Sequence, residues 1–128
     1  MPSTRLETRY GWIGDRHAEV IAAVHGAIVE GILIPEKDRH VRILEYPGYA
    51  FAAAPHNGPN YTLVEVTMFS GRSDDAKRRL YSAIARALEP FGVPPADVTV
   101  IVKDVPRENW GFGGRSAMDL DLKFKIEV

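Results

Sequence analysis

Residues 61–88 read YTLVEVTMFSGRSDDAKRRLYSAIARAL, and two hydrophobic periods meet inside them. Over Tyr61–Phe69 the apolar positions alternate, with Val64, Val66 and Met68 on one side, which predicts a half-buried strand. From Ser73 onward the spacing lengthens: Ala76, Leu80, Ala83, Ile84, Ala87, Leu88 and Phe91 fall on one stripe at helical period. Ser73 suits the N-cap, and Asp74 and Asp75 occupy the first turn, where the helix dipole favours negative charge. A further strand predicted over Asp97–Lys103 completes a β-α-β unit.

Outward from this unit, the first half of the chain repeats the plan. Residues Ser3–Tyr10 alternate, with Thr4, Leu6, Thr8 and Tyr10 on one side and charged residues on the other. Gly14-Asp15 predicts a turn with Asp15 as N-cap. Ala18, Ile21, Ala22, His25, Ile28, Val29 and Ile32 then form an apolar stripe, on which His25 reads as a core or interface histidine. Gly31 weakens the last turn and Pro35 ends the helix. A strand follows over His40–Glu45, then a turn at Tyr46-Pro47-Gly48, a short edge segment over Tyr49–Ala54 and a loop over 55–60. The two helix exits are alike, Ile34-Pro35-Glu36-Lys37-Asp38 and Val93-Pro94-Pro95-Ala96-Asp97. A Gly-rich stretch, Asn109–Gly114, and a last strand near Leu122–Glu127 close the chain.

These elements predict one domain over residues 1–128, of α/β (α+β) class, with two β-α-β repeats in one mixed sheet. Right-handed crossovers place both helices on one face. The opposite face then carries Leu44, Leu63, Phe69 and Ile101 among Arg42, Glu65 and Thr67, with no helix left to cover it. Self-association is the expected remedy, so a homo-oligomer is predicted.

The composition excludes several classes of function. Sixteen Lys and Arg stand against 17 Asp and Glu, a net charge of -1, which offers no general attraction to nucleic acid or an anionic membrane. With no cysteine, disulfides, thiolate nucleophiles and Cys-type zinc sites are ruled out. The amino-terminal residues lack an apolar targeting segment and no run is long enough to span a bilayer, so a soluble cytoplasmic protein is expected. His17, His40 and His56 show no metal-ligand spacing, and Lys77-Arg78-Arg79 reads as a solvated helix face. Neither metal nor cofactor is predicted.

Pro2 is the residue with a distinctive chemistry. Removal of Met1 leaves a secondary amine, and an α-amino group titrates near neutrality, lower still when desolvated. Such an amine in an apolar pocket serves as general base near pH 7, or as general acid if its pKa stays high. While Met1 remains, the Pro2 nitrogen is an amide and has no such role.

The layout resembles the tautomerase superfamily, and most of all its malonate semialdehyde decarboxylase-like branch. The matching residues are Met1-Pro2 opening a strand, Ala23-Val24-His25-Gly26-Ala27 in the first helix, and Ile34-Pro35 with Asp38-Arg39. Ser70-Gly71-Arg72-Ser73 at the second strand–helix junction and Asn109-Trp110-Gly111-Phe112-Gly113 in the tail complete the set. The resemblance implies a trimer, an amino-terminal proline as acid–base group, and no cofactor. It implies that Pro2 and Asp38 are catalytic, Asp38 tuning Pro2 or orienting water, and that Arg72 holds the substrate carboxylate. Asp38 also has a local reading, since Asp97 occupies the same place in the second half and both suit loop entry to a strand.

Where decarboxylase members have an arginine two residues before Arg72, this chain has Ser70, a candidate substrate-binding residue without a guanidinium. One carboxylate clamp fewer favours keto–enol tautomerisation of a small keto acid over decarboxylation of a β-keto acid. Trp110 and Phe112 read as a pocket wall or as filling between subunits. A non-catalytic oligomeric ligand-binding module is the alternative from another class, and a degenerate tautomerase-fold oligomer kept for assembly alone is a third.

Overall fold

A computed structural model of the chain describes residues 1–122 and 126. Its strands and helices run β1 (Ser3–Arg9), α1 (His17–Ile32), β2 (Val41–Tyr46), β3 (Thr62–Phe69), α2 (Asp74–Leu88) and β4 (Val98–Val105). A small hairpin of β5 (Gly111–Phe112) and β6 (Arg115–Ser116) follows. The main sheet has the order β2-β1-β3-β4, with the central β1/β3 pair antiparallel and each outer pair parallel. Each parallel pair is joined through its own helix, as the repeat predicts.

The alternation in β1 and β3 decides which face is buried. Thr4, Leu6 and Thr8 of β1 and Val64, Val66 and Met68 of β3 are all buried and share one core with the helices. α2 behaves as read: Ala76, Leu80, Ala83, Ile84 and Leu88 are buried, and Ser73 Oγ accepts from the Ala76 amide at 3.0 Å.

α1 departs from its expected stripe. Its buried residues are Val20, Val24, His25, Ala27, Ile28, Gly31 and Ile32, while Ala18 and Ala22 are exposed. The small alanines matched the apolar period equally well, and the two bulky valines, each two residues further on, took the core. Its N-cap position is Arg16, without a side-chain cap, and not Asp15. Gly31 has a packing reason to be there: a Cβ would lie 2.7 Å from the Leu80 Cα, so its absence lets the two helices meet.

The Tyr49–Ala54 edge segment does not form a strand; Gly48–Ala50 makes one 3₁₀ turn instead. The last strand expected over Leu122–Glu127 falls outside the described residues except for Leu122 and Ile126. The alike helix exits are alike in structure. Asp38 N donates to the Pro35 carbonyl at 3.0 Å and Asp97 N to that of Pro94 at 2.8 Å. Beyond that the two diverge, since Asp97 also accepts from the Gly58 amide and from Asn57, closing the 55–60 loop onto β4.

The helix-free face is polar at its centre, where Arg5 pairs with Glu7 and Glu65, and Lys103 joins Glu65 at 3.3 Å. Leu44 and Ile101 on the same face remain 44% and 41% exposed. At one end the hairpin covers it, with Trp110 and Phe112 packed edge-on against Phe69, which is buried.

Candidate active site

The sheet end that matters is the one where β1 and β2 begin and β3 and β4 finish. The register brings it about: Thr4 faces Val41 across the parallel pair, Ser3 faces Thr67, and Phe69 faces Val105. Pro2 therefore lies at the mouth of the sheet, and it is buried. One cavity opens on it and a second beside it, both bordered by Met1. The larger, about 570 Å³, is bordered by Met1, Pro2, Ser3, Arg39, His40, Val41, Arg42, Trp110, Gly111 and Phe112. The smaller, about 290 Å³, is bordered by Met1, Pro35, Lys37, Asp38, His40, Phe112 and residues 120–122.

The larger cavity has an aromatic wall and a cationic one. Trp110 and Phe112 stack at 5.9 Å between ring centroids, and Trp110 Nε1 donates to the Val105 carbonyl at 3.1 Å, which fixes the indole. Opposite them Arg42 Nη1 donates to Ser3 Oγ at 2.8 Å. Arg39 Nη2 pairs with Glu36 Oε1 at 3.0 Å, in solvent. Among the described residues no carboxylate borders this cavity, and Arg39 and Arg42 make its described lining cationic.

In the described chain the terminal amine belongs to Met1 and sits half-buried between the cavities. Desolvation pushes it below its ordinary value, and the Asp38 carboxylate pulls it part of the way back. Burial disfavours the ammonium, whereas a nearby carboxylate favours it. Asp38 thus acts electrostatically on the amino terminus across the smaller cavity.

Of the residues singled out in the sequence, the structure brings together Pro2, Asp38, Trp110 and Phe112 around the two cavities. Ser70 and Arg72 border neither. Ser70 is exposed, with its amide on the Val105 carbonyl. Arg72 is buried on the helix side, where Nη1 donates to the Ile32 carbonyl at 2.5 Å and Arg79 Nε to that of Gly31 at 3.2 Å. Two cations thereby meet the last carbonyls of α1, where the helix dipole is negative. Burial holds the Arg72 guanidinium below its usual range.

Arg39, His40 and Arg42 were not singled out as site residues. A signal was present: Arg42 was already on the helix-free face, and His40 precedes it by one strand period. What the sequence did not show is that β2 starts beside Pro2. His25, as read, is a core histidine, 1% exposed, and its Nε2 donates to the Glu36 carbonyl at 2.6 Å.

With this geometry in place, similarity to known proteins adds a second line. Residues 38–113 match a family model described as tautomerase enzyme. The 2-hydroxymuconate tautomerase of Comamonas testosteroni is 44% identical over 57 residues, 44% of this chain and 90% of that protein. FG41 malonate semialdehyde decarboxylase, solved with the inhibitor 3-bromopropiolate, superposes with a TM-score of 0.81 at 26% identity, over 91% of this chain and 93% of its own. A wild-type fused 4-OT, solved as a symmetric trimer, gives 0.82 at 26% identity, over 91% and 97%.

Proposed function

The chain belongs to the tautomerase enzyme family, an isomerase-type assignment, and from that premise we propose that it interconverts the keto and enol forms of a small keto acid at Pro2. Removal of Met1 makes the Pro2 nitrogen the terminal amine, on a residue that is buried in the chain with Met1 and borders the larger cavity. In the ketonising direction the enol loses its hydroxyl proton and gains one at carbon. The reaction is a net isomerisation and needs neither oxidant nor cofactor. Pro2 carries the proton, and Asp38 sets how strongly the amine holds it. Arg39 and Arg42 take the carboxylate, an assignment that replaces Arg72 in the cavity of one protomer. Trp110 and Phe112 keep water from the reacting atoms and strengthen the field of the arginines.

The observation that carries this reading is the half-buried amino terminus at the seam of the two cavities, desolvated and within reach of Asp38. Decarboxylation of a β-keto acid is a second reaction of the same apparatus, favoured by the likeness to a malonate semialdehyde decarboxylase. The exposed Leu44 and Ile101 on the helix-free face, together with the trimer formed by a fused 4-OT, support a homotrimer. The test is intact mass of the expressed protein paired with ketonisation of 2-hydroxymuconate and enolpyruvate. Protein lacking Met1, with a rate lost on Pro2→Ala, is expected; equal rates for Pro2→Ala and the parent chain refute the assignment.

A further inference from the structure

His40 holds an unusual position that the reaction so far does not use. Together with Met1 and Phe112 it borders both cavities. Its carbonyl accepts from the Thr4 amide at 2.9 Å, so the sheet ladder fixes where the side chain emerges. Strand alternation puts it on the side of Arg42 and away from Val41 and Ile43, which pack on the core. It is exposed.

The charges around His40 are unevenly divided. On its own strand and the lead-in stand Arg42, Arg39 and, next to Arg39, its partner Glu36. Lys37 and Asp38 come from the loop after α1, the Met1 amine from the start of β1, and Asp121 from the carboxyl-terminal segment. The hairpin contributes Trp110, Gly111 and Phe112, which bring no charge. Among the described residues, the carboxylates that border a cavity, Asp38 and Asp121, border the smaller one, whereas Arg39 and Arg42 border the larger. His40 stands at the boundary between them.

We propose that His40 is a protonatable third member of the Arg39–Arg42 anion cradle, so that a carboxylate entering the larger cavity binds together with a proton taken up on the imidazole. This rests on the reading of that cavity as a carboxylate site. An empty cradle offers the imidazolium two like charges on one side; an occupied one offers it an anion. Imidazole is the side chain whose ordinary titration, near pH 6.5, lies where such a change of surroundings alters its charge. Linkage makes the effect reciprocal: whatever the anion adds to proton affinity, the proton adds to anion affinity. The consequence is a substrate site that tightens as the pH falls through the imidazole range. It favours fully ionised small carboxylates over neutral keto compounds of the same shape.

The test is calorimetric titration of oxalate into the Met1-free protein between pH 6 and pH 8, in buffers of different ionisation heat. Oxalate is fully ionised throughout, so any proton taken up is the protein's. Expected are uptake approaching one proton per site and an affinity that weakens about tenfold for each unit by which the anion raises the imidazole pKa. His40→Gln should abolish both while circular dichroism shows the fold intact, and the His40 ring resonances should shift with oxalate in the parent. Uptake that persists in His40→Gln places the proton on the Pro2 amine and overturns the proposal, as does binding without uptake. Pro2→Ala separates the two readings. It should lose ketonisation yet keep proton-linked oxalate binding. Failure of the rate test alone therefore indicts the proposed reaction and leaves His40 standing. Absence of oxalate binding at every pH overturns the cradle.

Discussion

Arg72 reaches from the β3–α2 junction to the end of α1, where its Nη1 donates to the Ile32 carbonyl at 2.5 Å. Arg72 is 7% exposed, burial penalises its charge, and its contact with the helix end offsets part of that cost. Removing a partner from such a buried contact leaves the carbonyl unsatisfied. Arg72→Ala should therefore lower stability by about 2–3 kcal/mol, read as a fall in the denaturant midpoint. A KM raised with an unchanged midpoint would instead return Arg72 to substrate binding.

Gly31 poses a contest between propensity and packing. In an exposed helix, Gly→Ala gains about 1 kcal/mol. Here the new Cβ would sit 2.7 Å from the Leu80 Cα, which is backbone and cannot rotate aside. Separating two packed helices costs about 1–3 kcal/mol, so Gly31→Ala should be destabilising overall. Equilibrium unfolding of the variant gives the sign directly.

The fold was legible because each half carries a strand period and a helix period in the same order, and the Pro-x-x-Asp exits mark the repeat. α1 was placed correctly but rotated in the reading, since Ala18 and Ala22 match the apolar period without needing burial. The site was legible in part. Pro2, Asp38, Trp110 and Phe112 are brought together by topology. The proposed anion wall was not legible, because proximity of Arg42 to Pro2 depends on the parallel register that sets Thr4 beside Val41. For Arg72 the sequence did not show that α1 ends beside it, a contact that depends on how the two helices pack.

Asp38 is expected to set the working pH of the amine. In the chain with Met1 its carboxylate raises the Met1 amine's pKa while desolvation lowers it, and the proposed Pro2 amine should feel the same carboxylate. Asp38→Asn removes the raising influence, so the amine holds its proton less tightly and the free base persists to lower pH. The acidic limb of kcat/KM should move to lower pH. A limb that stays in place, with only stability reduced, would confine Asp38 to shaping the loop as Asp97 does.

Arg42 provides the sharpest contrast with Arg72. Its Nη1 is steadied by Ser3 Oγ at 2.8 Å, yet the residue is exposed and faces the larger cavity. Loss of an exposed side chain away from the core changes stability within about 0.5 kcal/mol. Loss of a charged hydrogen bond to a carboxylate costs about 1.5–3 kcal/mol in binding, equivalent to roughly ten- to a hundredfold in KM. Arg42→Ala should thus raise KM by that amount with an unchanged unfolding midpoint, the reverse of Arg72→Ala. Arg42→Lys retains the charge but not the planar fork, and should recover part of the loss. Steady-state kinetics of the three variants beside their unfolding curves decides which arginine serves the substrate: an Arg42→Ala enzyme with parental KM would remove the cationic wall from the mechanism.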